Sequence, residues 1–399
     1  MRRDMARVGC ILTLCLFFTA PAWGQTRAEE IAQQQAEKAR TAEPYTPNRA
    51  EKFFEGFEDW FSGVRRGWYL AFDDAYPTGG LTFGGGYRHY IGYDSFVDAS
   101  AAYSIRGYSK IQITGNTPDH MGGRVNLEGS VGWVDATKIP FFGLGIDSDP
   151  VAETNFRLNR AYMLGAAELR LVDWLRLRLD GGLDHYTQKA GLGSTPSIEA
   201  RFTRATTPLL LSASQLYLRG ELSATIYWLD APGYSRRGGL YRVAYEEFNP
   251  LGRGGDTFGF VRTEIVQHIP ILRETWVVSL RAQAESIARE SDVVPFFLMP
   301  GLGGGRSLRA YEFGRFRDRH AMLVTGEFRW FPNRLGLDMA LFYDAGQVAP
   351  RLHEFRLDDM NTNYGIGVRF HSLTMTTLRL DLAHGDEGWR AVISTHAAF

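Results

Sequence analysis

From residue 67 to residue 399 the chain places a large apolar residue at every second position, in long stretches broken by clusters of Gly, Asn, Asp and Pro. Successive side chains of a strand point to opposite faces, so the pattern commits each stretch to two unlike walls. Leu81, Phe83, Gly85 and Tyr87 alternate with small or polar neighbours, as do Val97, Ala99, Ala101, Tyr103 and Ile105. Val125, Leu127, Gly129, Val131 and Trp133 repeat the scheme with Asn126 and Glu128 on the other face. Leu175, Leu177 and Leu179 face away from Arg176, Arg178 and Asp180, giving one greasy wall and one charged wall.

A soluble sandwich would alternate too, so strand length and connections decide. The stretches 155–171, 215–230, 257–269 and 274–287 each reach or exceed the ~10 residues of a tilted membrane strand. Tight connections at Val172-Asp173, Pro270-Ile271 and Pro332-Asn333 alternate with long ones at 188–209 and 288–319, the signature of an outer-membrane barrel. The fold class is therefore all-β, a transmembrane antiparallel β-barrel over 64–399. Five strands follow the long loop, at 319–331, 336–347, 362–371, 376–384 and 388–399, and nine are clear before it. Because 107–117 and 197–206 read equally as strand or loop, the expected total is an even number from 14 to 16. The 44 glycines and 13% aromatics suit strands between lipid and lumen.

The first 24 residues read as a cleaved signal peptide. Arg2, Arg3 and Arg7 precede an apolar run at 8–18, too short to span a membrane, and Ala22 and Gly24 place the cut before Gln25. Both cysteines, Cys10 and Cys15, fall in this segment, so a mature chain has no disulfide and no thiolate site. Losing three arginines and one aspartate with the leader moves the net charge from −1 to −3, which gives no electrostatic case for nucleic acid. Residues 25–63 form a polar to amphipathic helical leader on the periplasmic side. Within it Asn48 and Glu51 make a capping-box variant, and Phe53, Phe57, Trp60 and Phe61 share one stripe. That stripe docks either on a protein surface or on the inner face of the membrane.

A search for catalytic chemistry finds neither a Gly-x-Ser-x-Gly elbow nor a His-Glu-x-x-His helix, and His120, His353 and His384 read as loop or turn residues beside acids. Gly301, Gly303, Gly304 and Gly305 lack the Lys-Ser/Thr of a phosphate loop. The expectation is a protein that is not an enzyme and carries no cofactor and no metal. The same glycines belong to a segment, 299–318, with five glycines and six charges in twenty residues, unfit for a lipid-facing strand. Folded inward, its arginines would need carboxylates, for which Glu327 and Asp344 on the next two strands are candidates. Left outside, they would simply be solvated.

Leu308-Arg309-Ala310-Tyr311 resembles the Val-Arg-Gly-Phe/Tyr motif in the sixth extracellular loop of the BamA/TamA superfamily of outer-membrane insertases and translocases. Phe342-x-Asp344-x-Gly346 resembles that family's lumenal aspartate motif, and Glu327 sits where the preceding strand carries its glutamate. The segments Phe141-Phe-Gly-Leu-Gly-Ile-Asp147, Tyr364-Gly-Ile-Gly-Val-Arg-Phe370 and Leu378-Arg-Leu-Asp-Leu-Ala383 are also similar, as is the terminal Phe399. The resemblance implies 16 strands, an inward loop latched by Arg309 to Asp344 and Glu327 with Tyr311 beside it, and Phe399 as a terminal signal on the last strand. It implies a bacterial outer-membrane location and a role in membrane biogenesis or protein translocation, with outer-membrane lipid as solvent and outer-membrane protein clients or a periplasmic partner. The alternative is a passive channel or structural surface barrel. Two departures stand out. Ala310 replaces the usual glycine, and residues 25–63 are too few for even one of the periplasmic POTRA modules that family members usually carry.

Overall fold

The structure, a computed structural model, describes residues 66–71, 75–202, 214–231, 233–252, 255–272, 275–288, 294–331, 336–371, 376–395 and 397–399. The chain divides into two units, Met1–Phe57 and Glu58–Phe399. The signal peptide, the helical leader and its aromatic stripe lie outside the described residues.

Long alternating stretches become long strands. Eleven precede the glycine-rich loop: β1 (Gly67–Ala71), β2 (Thr82–Ile91), β3 (Ser95–Ser104), β4 (Ser109–His120), β5 (Val125–Phe141), β6 (Thr154–Val172), β7 (Leu175–Ala190), β8 (Ser214–Tyr227), β9 (Gly238–Leu251), β10 (Phe258–Ile271) and β11 (Trp276–Ile287). Inside the loop, β12 (Gly301–Leu302) pairs with β13 (Phe316–Arg317). After it come β14 (His320–Trp330), β15 (Leu337–Ala349), β16 (Asn361–His371), β17 (Thr376–Gly385) and β18 (Gly388–Ser394). All but β12 and β13 form one 16-stranded antiparallel sheet in which each strand pairs with its sequence neighbours, β11 with β14 across the loop. This is the expected all-β outer-membrane barrel.

The structure departs from the sequence reading in two places and resolves two stretches that the sequence left open. The wall starts one strand earlier than the stretch at Leu81, because the five residues of β1 already pair with β2 from Gly67↔Arg88 to Ala71↔Gly84. The ambiguous 107–117 is strand from Ser109 onward, with Pro118 accommodated where the β4–β5 register shifts between Thr117 and His120. The ambiguous 197–206 holds a 3-10 turn, Ile198–Ala200, among its described residues. In addition, Pro270 and Ile271 lie inside β10, and the turn begins at Leu272, at φ 48°.

Alternation sorts the two walls. Leu127, Val131, Met163, Leu179, Leu222 and Ile265 are exposed on the outer face, as a lipid-facing band requires. The inner face carries ion pairs: Arg88–Asp98 at 2.9 Å, Arg160–Asp184 at 2.6 Å, Arg178–Glu128 at 2.9 Å, and Arg219, Arg242 and Arg262 meshed with Glu221 and Glu246. Both ends of this interior are narrowed. At the long-loop end, Phe141, Phe156, Phe296, Phe297, Tyr186, Tyr217, Phe248 and Phe258 belong to one aromatic cluster, with Phe296 edge-on to Phe141 and Phe156 at about 5 Å. At the short-turn end, the β8–β9 connection folds inward. Its Tyr234 packs with Val277 and Phe331, stacks on His371 at 3.9 Å and hydrogen-bonds Asp338.

Candidate functional site

The loop between β11 and β14 owes its shape to its glycines. Gly303 at φ 110° and Gly304 at φ 98° occupy the left-handed region, which L side chains rarely adopt. They fold the loop back on itself: the Gly303 amide donates to Ser307 Oγ at 2.8 Å, the Ser307 amide to the Gly304 carbonyl at 3.1 Å, and the Gly304 amide to the Tyr311 carbonyl at 2.9 Å. Gly301 and Gly305 answer a different need, that of close approach. A Cβ on Gly305 would sit 2.7 Å from Val392, and one on Gly301 3.3 Å from the Phe316 carbonyl. Leu308 and Arg309 are thereby presented to the barrel wall, both essentially fully buried.

Arg309 meets three acids there. Its Nε and Nη2 donate to the two oxygens of Asp344, each at 3.0 Å, and Nη1 donates to Glu327 at 2.7 Å and Asp381 at 3.1 Å. The guanidinium carbon lies 3.6 Å from the centre of the Phe342 ring. A planar fork is matched to a carboxylate in this way, and its weakly hydrated face can stack on an aromatic ring, neither of which an ammonium does as well. Two further arginines complete the cluster. Arg369 donates to Glu327 at 2.7 Å and lies 3.4 Å from Asp381, while Arg379 lies 3.4 Å from Asp381 and donates to the Gly305 carbonyl. Three arginines thus face Glu327, Asp344 and Asp381, a neutral set with little exposure to solvent.

Four strands supply this cluster by the same alternation: β14 gives Glu327, β15 gives Phe342 and Asp344, β16 gives Arg369, and β17 gives Arg379 and Asp381. Glycines on β16 make the room. A Cβ at Gly367 would overlap Asp381 and Arg369, and one at Gly365 would overlap Phe342 and the β17 backbone. Ala310 sits outside the left-handed region and tolerates its methyl; its amide donates to Asn363 Oδ1 at 3.4 Å, and Asn363 Nδ2 donates to Asp344 at 2.8 Å.

Tyr311 extends the contact toward the loop side. Its hydroxyl donates to the Thr362 carbonyl at 3.2 Å, its ring stands edge-on to Phe316 at 5.1 Å, and its carbonyl accepts from Arg390. Arg315 holds Glu387 and both the hydroxyl and the carbonyl of Ser148 at 2.6 Å. Arg317 donates to the carbonyls of Phe296 and Met299, and burial pushes its guanidinium below its ordinary value.

Of the sequence-selected residues, Arg309, Glu327, Asp344 and Tyr311 come together around the loop, and the four glycines shape it. Phe399 does not take the expected place on the last strand, because β18 ends at Ser394. Sequence reading missed Asp381, Arg369 and Arg379. A signal for them existed: Leu378, Leu380 and Leu382 alternate with Arg379 and Asp381 in the pattern that singled out Asp344. Among the described residues no group of three His, Cys, Asp or Glu is placed to hold a metal ion.

The Omp85 superfamily domain matches residues 178–388, more than half of the chain and all of this cluster, and the chain belongs to that superfamily. Solved structures with a similar fold include BamA from Haemophilus ducreyi lacking POTRA domains 1–3, at TM-score 0.60 and 14% identity, covering 82% of this chain and 68% of that one. CdiB from Acinetobacter baumannii follows at TM-score 0.52 and 11% identity, covering 79% and 57%, and CdiB from Escherichia coli at 0.51 and 13%, covering 82% and 62%. This chain thus spans from just over half to about two thirds of their lengths. No curated protein matches its sequence. Fold and family define an outer-membrane β-barrel of the Omp85 superfamily.

Proposed function

We propose that this barrel works in outer-membrane biogenesis or protein translocation, as an insertase or translocase whose lumen is gated by the Arg309 loop. The observation that carries the reading is the desolvated contact of one loop arginine with acids from three different strands. A solvated surface loop has no use for such a contact, whereas a loop held in one of two positions does. In this reading residues 1–24 are a cleaved signal, 25–63 a helical leader, 64–399 the barrel and 299–318 its inward loop. The clients are other outer-membrane proteins, engaged directly or through a periplasmic partner, and the barrel performs no covalent chemistry.

The test is folding of an unrelated outer-membrane barrel into liposomes with and without the purified protein, scored by the heat-modifiable gel shift. Acceleration that is lost in Arg309→Ala supports a gated insertase. No acceleration, together with steady ion conductance from the same liposomes, identifies a passive channel instead.

A further inference from the structure

The outer face of β5 to β8 changes character at one level. Trp133, Ala161, His185 and Leu216 stand in register across the four strands, on the outward parity set by Val131, Met163, Leu179 and Leu218. Toward the short turns the outward residues of these strands are apolar or glycine. In the other direction the next row, Asp135, Asn159, Thr187 and Ser214, is polar throughout, and beyond it Arg157 stands directly opposite Lys189. A cleft of about 390 Å³ opens over these rows, from Trp133 and Ala161 to Arg157 and Lys189. Long loops of an outer-membrane barrel are extracellular, so the cleft faces the headgroups of the outer leaflet.

Two cations directly opposite each other on neighbouring strands repel. Asp135 offsets one of them, accepting from Arg157 Nε at 2.8 Å and Nη2 at 2.5 Å. That grip leaves Arg157 Nη1 to donate elsewhere, and the Lys189 ammonium has no acid beside it among the described residues. The inner face treats its arginines differently, setting Asp184 against Arg160 and both Glu128 and Asp180 against Arg178. Nearer the short turns the outer wall is flattened. Gly115, Gly129, Gly165, Gly181 and Gly220 stand side by side across β4 to β8. None has a positive φ, and a Cβ on any of them would meet nothing closer than 3.4 Å beyond its chain neighbours. Packing within the barrel does not require these glycines, which weaken a strand, and such residues often mark the close approach of a ligand. At about 3.3 Å per residue and a tilt of about 40°, their row lies about 10 Å below His185 along the membrane normal, within reach of an acyl chain.

We propose that this cleft is a binding site for a phosphorylated glycolipid of the outer leaflet. Its phosphate takes the charge that the opposed cations leave over, bonded by Lys189 and by Arg157 Nη1. Its sugar hydroxyls meet Asn159, Thr187 and Ser214, the last already within hydrogen-bond distance of His185 at 2.9 Å and of Thr187 at 3.0 Å. From β6 to β8 this row spans two strand spacings, about 10 Å, broader than one phosphodiester headgroup and suited to joined sugars. Trp133 packs at the boundary between sugar and hydrocarbon, as interfacial aromatics do, and the acyl chains run down over the glycine row. The inference concerns the outer wall and holds whether or not the barrel inserts other proteins.

The test uses the full chain folded in a neutral detergent and titrated with lipid A, a disaccharide lipid that carries phosphates, with bound lipid counted by native mass spectrometry. Wild type should bind lipid A at least tenfold more tightly than its dephosphorylated form and at least tenfold more tightly than phosphatidylglycerol. Lys189→Gln should weaken lipid A binding tenfold or more, the loss of a charge-assisted hydrogen bond, and Lys189→Glu should weaken it further, with the heat-modifiable shift confirming folded barrels. Arg351→Gln, which removes an exposed cation paired with Glu354 in a loop, should leave it unchanged. Lipid A binding as tight in both folded Lys189 variants as in wild type refutes the site. Equal binding of the dephosphorylated lipid refutes the phosphate contact, and equal binding of phosphatidylglycerol refutes the choice of a glycolipid. If the Lys189 variants do not fold, the three lipids compared on wild type decide alone.

Discussion

Replacing Arg309 with alanine removes four hydrogen bonds to three acids and leaves their carboxylates in a largely dry site. Breaking a buried ion pair on one side typically costs about 3–5 kcal/mol, because the remaining charge is uncompensated. The loss does not fall evenly. Glu327 and Asp381 retain Arg369 and Arg379, whereas Asp344 keeps the neutral Asn363 as its remaining hydrogen-bond partner. The wall strands are held by their own ladders, so the cost should fall on the loop, raising its open population by about 10² to 10³·⁵, at about 1.4 kcal/mol per tenfold. Limited trypsin digestion reads that population when opening is fast relative to cleavage, and Arg306, Arg315 and Arg317 remain as sites in the mutant. The expected result is loop cleavage at least a hundredfold faster in Arg309→Ala with the heat-modifiable shift intact. Adding Asp344→Asn, which removes the stranded charge, should recover at least tenfold of it. Cleavage within about threefold of wild type, or a double mutant worse than the single, refutes the reasoning.

Three further outcomes follow from the geometry. Arg309→Lys keeps the charge but not the fork, and should fall between wild type and alanine in the same digestion. Gly303→Ala places a methyl on a left-handed residue against the Glu312 carbonyl, so the loop should loosen by about 1–2 kcal/mol or more, visible as faster digestion without loss of the barrel. Leu179→Arg, at an exposed outer-face position of β7, should destabilise the barrel by about 2–4 kcal/mol in denaturant titrations in lipid, whereas an arginine introduced near the membrane interface should cost about 0–1 kcal/mol in the same assay.

How much could be read beforehand depends on the range of the signal. Period-two alternation is local, so the strands after the loop and the inward acids Glu327 and Asp344 were legible. β1 was not, because five residues, Gly-Trp-Tyr-Leu-Ala, are too few to show a period. Asp381, Arg379 and Arg369 carried the right alternation, and the segments that hold them, 378–383 and 364–370, already resembled the family, but nothing local marked these three as partners of the Arg309 loop rather than as ordinary lumen-facing charges. The place of Phe399 was illegible for a deeper reason. Its contacts with His268 and Arg281 lie more than a hundred residues away in sequence, and the alternation of Ala391 and Ile393 continues through Thr395 and Ala397 as though the strand did too.

The acids that receive Arg309 come from β14, β15 and β17, up to 72 residues later in the chain. The loop can therefore settle only after those strands have formed and aligned. Because side chains alternate with a period of two, slipping any one of these strands by a single residue would turn its acid toward lipid and leave the arginine short of a partner. Closure of the loop is thus a late event with long-range contacts, slow by its loop-closure entropy and conditional on correct pairing. The protein carries within its own lumen a report on whether its wall has been assembled in register.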